Sequence, residues 1–163
     1  MSRQAHIDRV WHVIDKVGIC MMTTQFAGGM RARPMEARTD KDAGVIWFLT
    51  DHRGLKDDEI DATPAVCLTF VYEKEKVHLS ITGEAFVAHD PDRARALWNE
   101  NQKLWWSGPD DPNLRVVRVE PEKAEMWDGP ASSAVAAFEF AKARLTGSKP
   151  DLGENRKVSV ELD

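Results

Sequence analysis

A chain of 163 residues is long enough for one domain with a proper core and short for two. Apolar residues make up 42% and charged residues 30%, values ordinary for a soluble globular protein, and a net charge of −5 argues against nonspecific binding to nucleic acid or anionic membrane. No apolar run approaches the roughly 20 residues that span a bilayer, and Met1 to Val10 carries charges where a signal peptide needs an apolar stretch.

The first segment, Gln4 to Lys16, sets Ile7, Val10, Trp11 and Ile14 at helical spacing and predicts an amphipathic helix. After Gly18 the period changes. Ile19 to Phe26 reads as a strand, Ala27-Gly28-Gly29 as a tight turn, Met30 to Thr39 as a second strand and Val45 to Thr50 as a third. Asp51 is the expected N-cap of a short helix over Leu55 to Ala62, which Pro64 stops. Ala65 to Tyr72 and Val77 to His89 give two more strands. Asp90-Pro91 then opens a helix whose apolar face runs through Ala94, Leu97, Trp98, Leu104 and Trp105. Gly108 to Pro112 is a loop, and Leu114 to Trp127 a last long strand with an interruption near Pro121. Ser132 or Ser133 caps a final helix with Val135, Phe138, Ala141 and Leu145 on its apolar face, and Gly147 ends it. The expectation is one mainly β domain over residues 1–145, a six-stranded barrel with helices outside, followed by a polar tail at 146–163.

Cys20 and Cys67 both sit in apolar, strand-like runs, as small buried residues of a reducing compartment do, so the cytoplasm is the expected location. Six tryptophans are many for a chain of this size, and some are expected at an interface or pocket.

On the second strand, alternation puts Arg31, Arg33 and Met35 on one face and Met30, Ala32 and Pro34 on the other. Pattern alone favours a solvated face with acidic partners for the arginines; the other reading is an anionic ligand. Pro34 has no N–H for a ladder, so this strand belongs at an edge open to a ligand or a partner chain. The third strand runs into Asp51-His52-Arg53-Gly54-Leu55-Lys56, where a glycine and a lysine at a helix start offer an anion site or, more blandly, a surface ion pair. On the fifth strand His78, Ser80, Thr82 and Glu84 form a polar face, either half-exposed or lining a ligand or dimer partner. The five histidines show no recognised metal spacing, and neither a nucleophile elbow nor a dinucleotide fingerprint occurs. An enzyme built this way leaves the difficult chemistry to a cofactor.

Taken in order, Arg31-Ala32-Arg33-Pro34-Met35, Val45 to Thr50, Lys56-Asp57-Asp58-Glu59-Ile60, Leu79 to Gly83, Leu97-Trp98, Gly108 to Pro112, Glu125 to Asp128 and Leu145-Thr146-Gly147 resemble the pyridoxamine 5′-phosphate oxidase superfamily, in particular its general stress protein branch. The resemblance implies an antiparallel split barrel that binds FMN at the interface of a homodimer. By the same resemblance Arg33, Pro34 and Met35 border the isoalloxazine, and Phe48, Leu49 and Thr50 line the ring and ribityl chain. Lys56 meets the phosphate, helped by Arg31 or Arg33. Ser80 and Thr82 lie near the flavin, and Trp105, Trp106 or Trp127 closes the pocket from the partner. Gly54 stands where relatives often carry a hydroxyl, and the substrate-binding arginine and histidine pattern of true pyridoxamine phosphate oxidases is not found, so vitamin B6 synthesis is not expected. The expectation is an FMN-dependent oxidoreductase. The alternatives are a flavin-binding stress or sensor protein without turnover, or the same barrel holding a deazaflavin, FAD or haem; for haem, His78 or His52 would be the axial ligand.

Overall fold

The computed structural model describes residues 2–54, 56–129, 133–149 and 156–162. Helix α1 (Arg3–Val17) starts where the Ser2 hydroxyl accepts the Ala5 N–H and ends at Gly18, whose φ of 72° and N–H bond to Ile14 close the last turn. Strands β1 (Ile19–Phe26) and β2 (Gly29–Glu36) form the expected hairpin, with Cys20, Met22 and Thr24 buried on one face of β1. β3 (Arg38–Asp40) follows, then β4 (Val45–Asp51), α2 (Lys56–Ala62), β5 (Ala65–Tyr72) and β6 (Val77–Ala88). Helix α3 (Pro91–Leu97), β7 (Leu114–Asp128), α4 (Ser133–Thr146) and β8 (Arg156–Glu161) complete the chain.

The sheet runs β2-β1-β5-β6-β7-β4-β3, every neighbour antiparallel. Its two ends, β2 and β3, are consecutive in sequence and parted by Ala37 alone. The expected second strand is therefore one bent strand that pairs with β1 before the bend and with β4 after it. That closes six strands into a barrel, and β2 and β4 approach each other across the seam. Phe48, Phe70, Leu68, Leu79 and Ile81 fill the interior, and α1 packs Val10, Trp11, Val13 and Ile14 onto the same core.

Two elements depart from the sequence-based expectation. The helix expected from Asp90 to Trp105 divides into α3 and a 3-10 turn at Glu100–Leu104. Asn99 starts the second piece with a reciprocal cap: its side chain accepts the Asn101 N–H while the Gln102 side chain accepts the Asn99 N–H. The stretch read as a polar tail contains β8, which pairs with the second half of β7 and buries Val160. The first half of β7 pairs with β4, so without β8 the second half would be an open edge.

Pro121 sits inside β7, where a strand proline needs a bulge. The β6–β7 register shifts between Thr82 and Gly83, opposite Pro121. Gly83 is required by contact: a Cβ there would stand 2.2 Å from the Glu120 carbonyl oxygen. Gly83→Ala is expected to lower unfolding free energy in urea by about 1–3 kcal/mol. Gly108→Ala, with open space around its Cβ, should stay within about 0.5 kcal/mol of the parent.

Candidate functional site

Outside the seam, where β2 and β3 turn past the end of β4, lies a cavity of about 530 Å³. Its size is in the range of small-molecule and cofactor sites. Pro34 and Met35 come to it from β2, Leu49 and Thr50 from β4, and Trp106 from the loop after the 3-10 turn. Pro34, Met35, Leu49 and Thr50 were expected at the site; Trp106, expected with Trp105 or Trp127 to reach it from the partner, lines it together with Trp105 from the same chain. Trp106 packs on a small second core with Trp47, Trp98 and Leu114, and its indole N–H is buried with no hydrogen bond of normal length.

The cavity also holds polar residues that the sequence reading passed over. Arg38 donates from Nε to the Leu97 carbonyl at 3.1 Å and from Nη1 to Glu36 at 2.9 Å. Arg53 donates through Nε at 2.9 Å and Nη2 at 2.5 Å to the Asp51 carboxylate, which also accepts the Arg53 backbone N–H. Asp51, expected as a helix N-cap, instead anchors this arginine. Chiefly through the Arg53 hydrogen bond, the Asp51 carboxyl is held down at about 2. Gln102, buried beneath the rim, reaches Glu36 at 3.4 Å. Arg38 stands three residues past Met35, and Arg53 lay inside the stretch read as an anion site. Gln102 carried no local signal.

The remaining expected residues lie elsewhere. Phe48 is fully buried in the barrel core, on the face opposite Leu49, so its ring does not line the cavity. Arg31 and Arg33 turn inward from β2 onto Glu59 of α2, Nη1 of Arg31 and Nη2 of Arg33 each at 2.8 Å from a carboxylate oxygen. The buried Thr24 hydroxyl donates to Glu59 at 2.6 Å and accepts from Arg33 at 2.9 Å. The acidic-partner reading of the arginine face thus holds, although the partner is buried. Ser80 and Thr82 lie on the outer face of β6. Ser80 Oγ is 3.4 Å from Cys67 Sγ, and Thr82 borders a second cavity of about 290 Å³ with Thr24, Cys67 and Glu84. Trp127 is near the far end of β7, beneath Lys157 and up to about 40 Å along the strand from Leu114. α2 begins at Lys56, but the Lys56 side chain lies outside the described residues. His52 pairs with Asp57 at 2.8 Å, and neither it nor His78 is on the cavity wall. Among the described residues no group of three or more histidine, cysteine or acidic side chains is placed to hold a metal.

Burial is the largest single influence on Glu59 and raises its pKa. Hydrogen bonds from Thr24 and Arg33, with the charges of Arg33 and Arg31, outweigh it and hold the carboxyl below its ordinary value. Because the folded pKa is depressed, the stabilisation is complete above the unfolded value of about 4.5 and is lost as pH falls through the folded value. Glu59→Ala leaves two arginines without their anion and is expected to cost about 3 kcal/mol at neutral pH. Denaturation across pH should also show the variant losing less further stability than the parent below about pH 4.5. Equal acid sensitivity of the two proteins would refute this account of Glu59.

The sequence and the fold have counterparts. General stress protein 26 of Bacillus subtilis (strain 168) is 24% identical over 139 residues, covering 83% of this chain and 98% of that protein. A protein assigned as a general stress protein 26, from Jannaschia sp. CCS1, superposes with a TM-score of 0.72 at 25% identity, covering 96% of this chain and 98% of its own. The general stress FMN/FAD binding protein of Xanthomonas citri superposes with a TM-score of 0.70 at 25% identity over 80% of this chain and 92% of its own. Residues 5–151, which take in the barrel and the helices on either side of it, match the family described as pyridoxamine 5′-phosphate oxidase like, and the chain belongs to that family.

Proposed function

We propose that the cavity at the seam binds FMN and that the protein is a flavin-dependent oxidoreductase acting as a homodimer. The observation that carries this reading is the convergence of Pro34, Met35, Leu49, Thr50 and Trp106 on one cavity of about 530 Å³. The donor set suits a flat ring with a polar edge. Pro34, Met35 and Leu49 offer apolar surface, and Thr50 and the Trp106 indole, whose N–H is turned to the Asp51 carboxylate, give the same wall polar character. Arg53 lies between this cavity and the start of α2, so the phosphate is assigned to Arg53 and Lys56. Family membership and the Xanthomonas citri relative named as FMN/FAD binding support the same ligand.

Bound flavin supplies hydride and one-electron chemistry, while the chain binds, orients and excludes water. Asp51 is ionised throughout the neutral range, and Glu36 is tied to Arg38. Asp51 is therefore not poised to donate a proton near pH 7, which supports a reading in which the cofactor carries the redox step.

Titration of the purified protein with FMN, followed by flavin fluorescence, should show saturable one-to-one quenching. A retained haem or deazaflavin, or no binding, would overturn the reading. Lys56→Ala should weaken FMN by about 1.5–3 kcal/mol, as a lost charge-assisted contact does, and leave riboflavin affinity unchanged. Equal losses for both flavins would remove Lys56 from the phosphate.

A further inference from the structure

Past Asp51, the last residue of β4, the chain turns before α2 begins at Lys56, and this turn carries Arg53 onto the cavity wall. Its β4 end is fixed by backbone bonds. The His52 N–H donates to the Asn113 carbonyl at 2.7 Å and the Gly54 N–H to the Asp51 carbonyl at 3.2 Å. α2 is fixed by packing instead: it lies against β1 and β6, with Glu59 and Ile60 buried. Among the described residues one side-chain hydrogen bond joins turn to helix. Nδ1 of His52 donates to Oδ2 of Asp57 at 2.8 Å.

Stability alone does not ask for this contact. Asp57 stands in the first turn of α2, where an acid ordinarily serves the free N–H groups of its own helix. Here its Oδ1 is buried with no hydrogen bond, and the residue is 8% exposed. A buried carboxylate with one oxygen unpartnered destabilises a fold, and an apolar side chain would fill the same place at lower cost. The His52 side chain, 54% exposed, gains little from burial. Local rules broken without a gain in stability mark places where position matters. What the pair holds is direction: a single bond links the residue beside Arg53 to the residue beside Lys56.

We propose that His52 is a positioning residue for the phosphate end of the site and acts through Asp57. Asp51 already fixes the Arg53 guanidinium relative to β4 by accepting from its Nε and Nη2. The His52–Asp57 bond then fixes α2, and with it the backbone from which Lys56 springs, relative to that guanidinium. A free hinge would leave each cation to find the phosphate separately, at an entropic cost that the clasp removes in advance. His52 is not on the cavity wall, so it does this without touching the ligand. The clasp stands on geometry; its role rests on the assignment of the flavin phosphate to Arg53 and Lys56.

The test uses the full-length chain. Without ligand, His52→Ala should speed hydrogen exchange of the Arg53 and Gly54 amides about tenfold and leave those of β4 alone. His52→Asn, which sets an amide nitrogen where Nδ1 stands, should restore the parent rate. With ligand, His52→Ala should weaken FMN about tenfold and leave affinity for riboflavin, which lacks the phosphate, unchanged. His52→Asn should bind FMN as the parent does. Asp57→Ala should match His52→Ala, and the double variant should be no worse than either, because all three remove the same bond. Parent exchange rates in His52→Ala overturn the clasp. Parent FMN affinity in His52→Ala, or equal losses for FMN and riboflavin, overturns the positioning role. A His52→Asn variant as weak as His52→Ala overturns it too, since the imidazole then meets the ligand itself. A parent that binds no flavin refutes the flavin reading and removes the phosphate role, while hydrogen exchange still decides the clasp.

Discussion

The rest of the molecule hangs on the bend at Ala37, where the chain passes from β2 to β3 and the Ala37 N–H is held by the Gly18 carbonyl at 2.7 Å. Before the bend the strand is bonded to β1; after it, to β4. One bent strand therefore joins the two ends of the sheet. β2 and β4 come near each other without the ladder continuing between them, so the barrel closes topologically while a seam stays open. Pro34, which offers no N–H, stands on the β2 edge, where an unpaired ladder position costs least. The cavity is the outward opening of this seam, and Met35 and Thr50 face it because each sits beside the bend.

Charge around the seam follows one rule: every arginine described there has a carboxylate. Arg38 is held by Glu36, Arg53 by Asp51, and Arg31 and Arg33 share Glu59. Pairing fixes the guanidinium planes before any ligand arrives, so less side-chain entropy is lost on binding. The Glu59 cluster differs from the other two in stoichiometry, with two cations on one buried anion and a surplus positive charge beside α2. Thr24 completes it from β1, which ties the hairpin to α2 through side chains alone.

The barrel interior is closely packed, and the surface around the site exposes large apolar side chains. Interior positions of β1, β4, β5, β6 and β7 are filled by buried apolar side chains. By contrast the rim residues and α4 expose more large apolar side chains than the need for solubility would leave. Stability is thus a property of the closed barrel, whereas the cavity is built on its edges and loops. That division allows site residues on loops and edges, such as Trp105 and Arg53, to change without disturbing the core.

What the chain determined locally was legible from the residues. Period-two alternation located the strands, Gly18 and Gly147 bounded helices, and Pro121 marked the interruption that the bulge at Gly83 accommodates. The family pattern drew attention to Pro34, Met35, Leu49, Thr50 and Trp106. Other features depended on partners far away in sequence. Alternation says that Phe48 and Leu49 point oppositely, but only closure of the sheet decides which of them meets the core. Arg31 and Arg33 announce a need for an anion, but nothing nearby in sequence names Glu59, 28 and 26 residues on respectively. Trp106 and Trp127 are the same residue type in loop and strand, and the course of β7 alone separates them. β8 is a short alternating run that becomes a strand because β7 offers it an edge. Backbone preference is written among neighbours in the chain, whereas a cavity is made by side chains that meet only after the ends of the sheet have been joined.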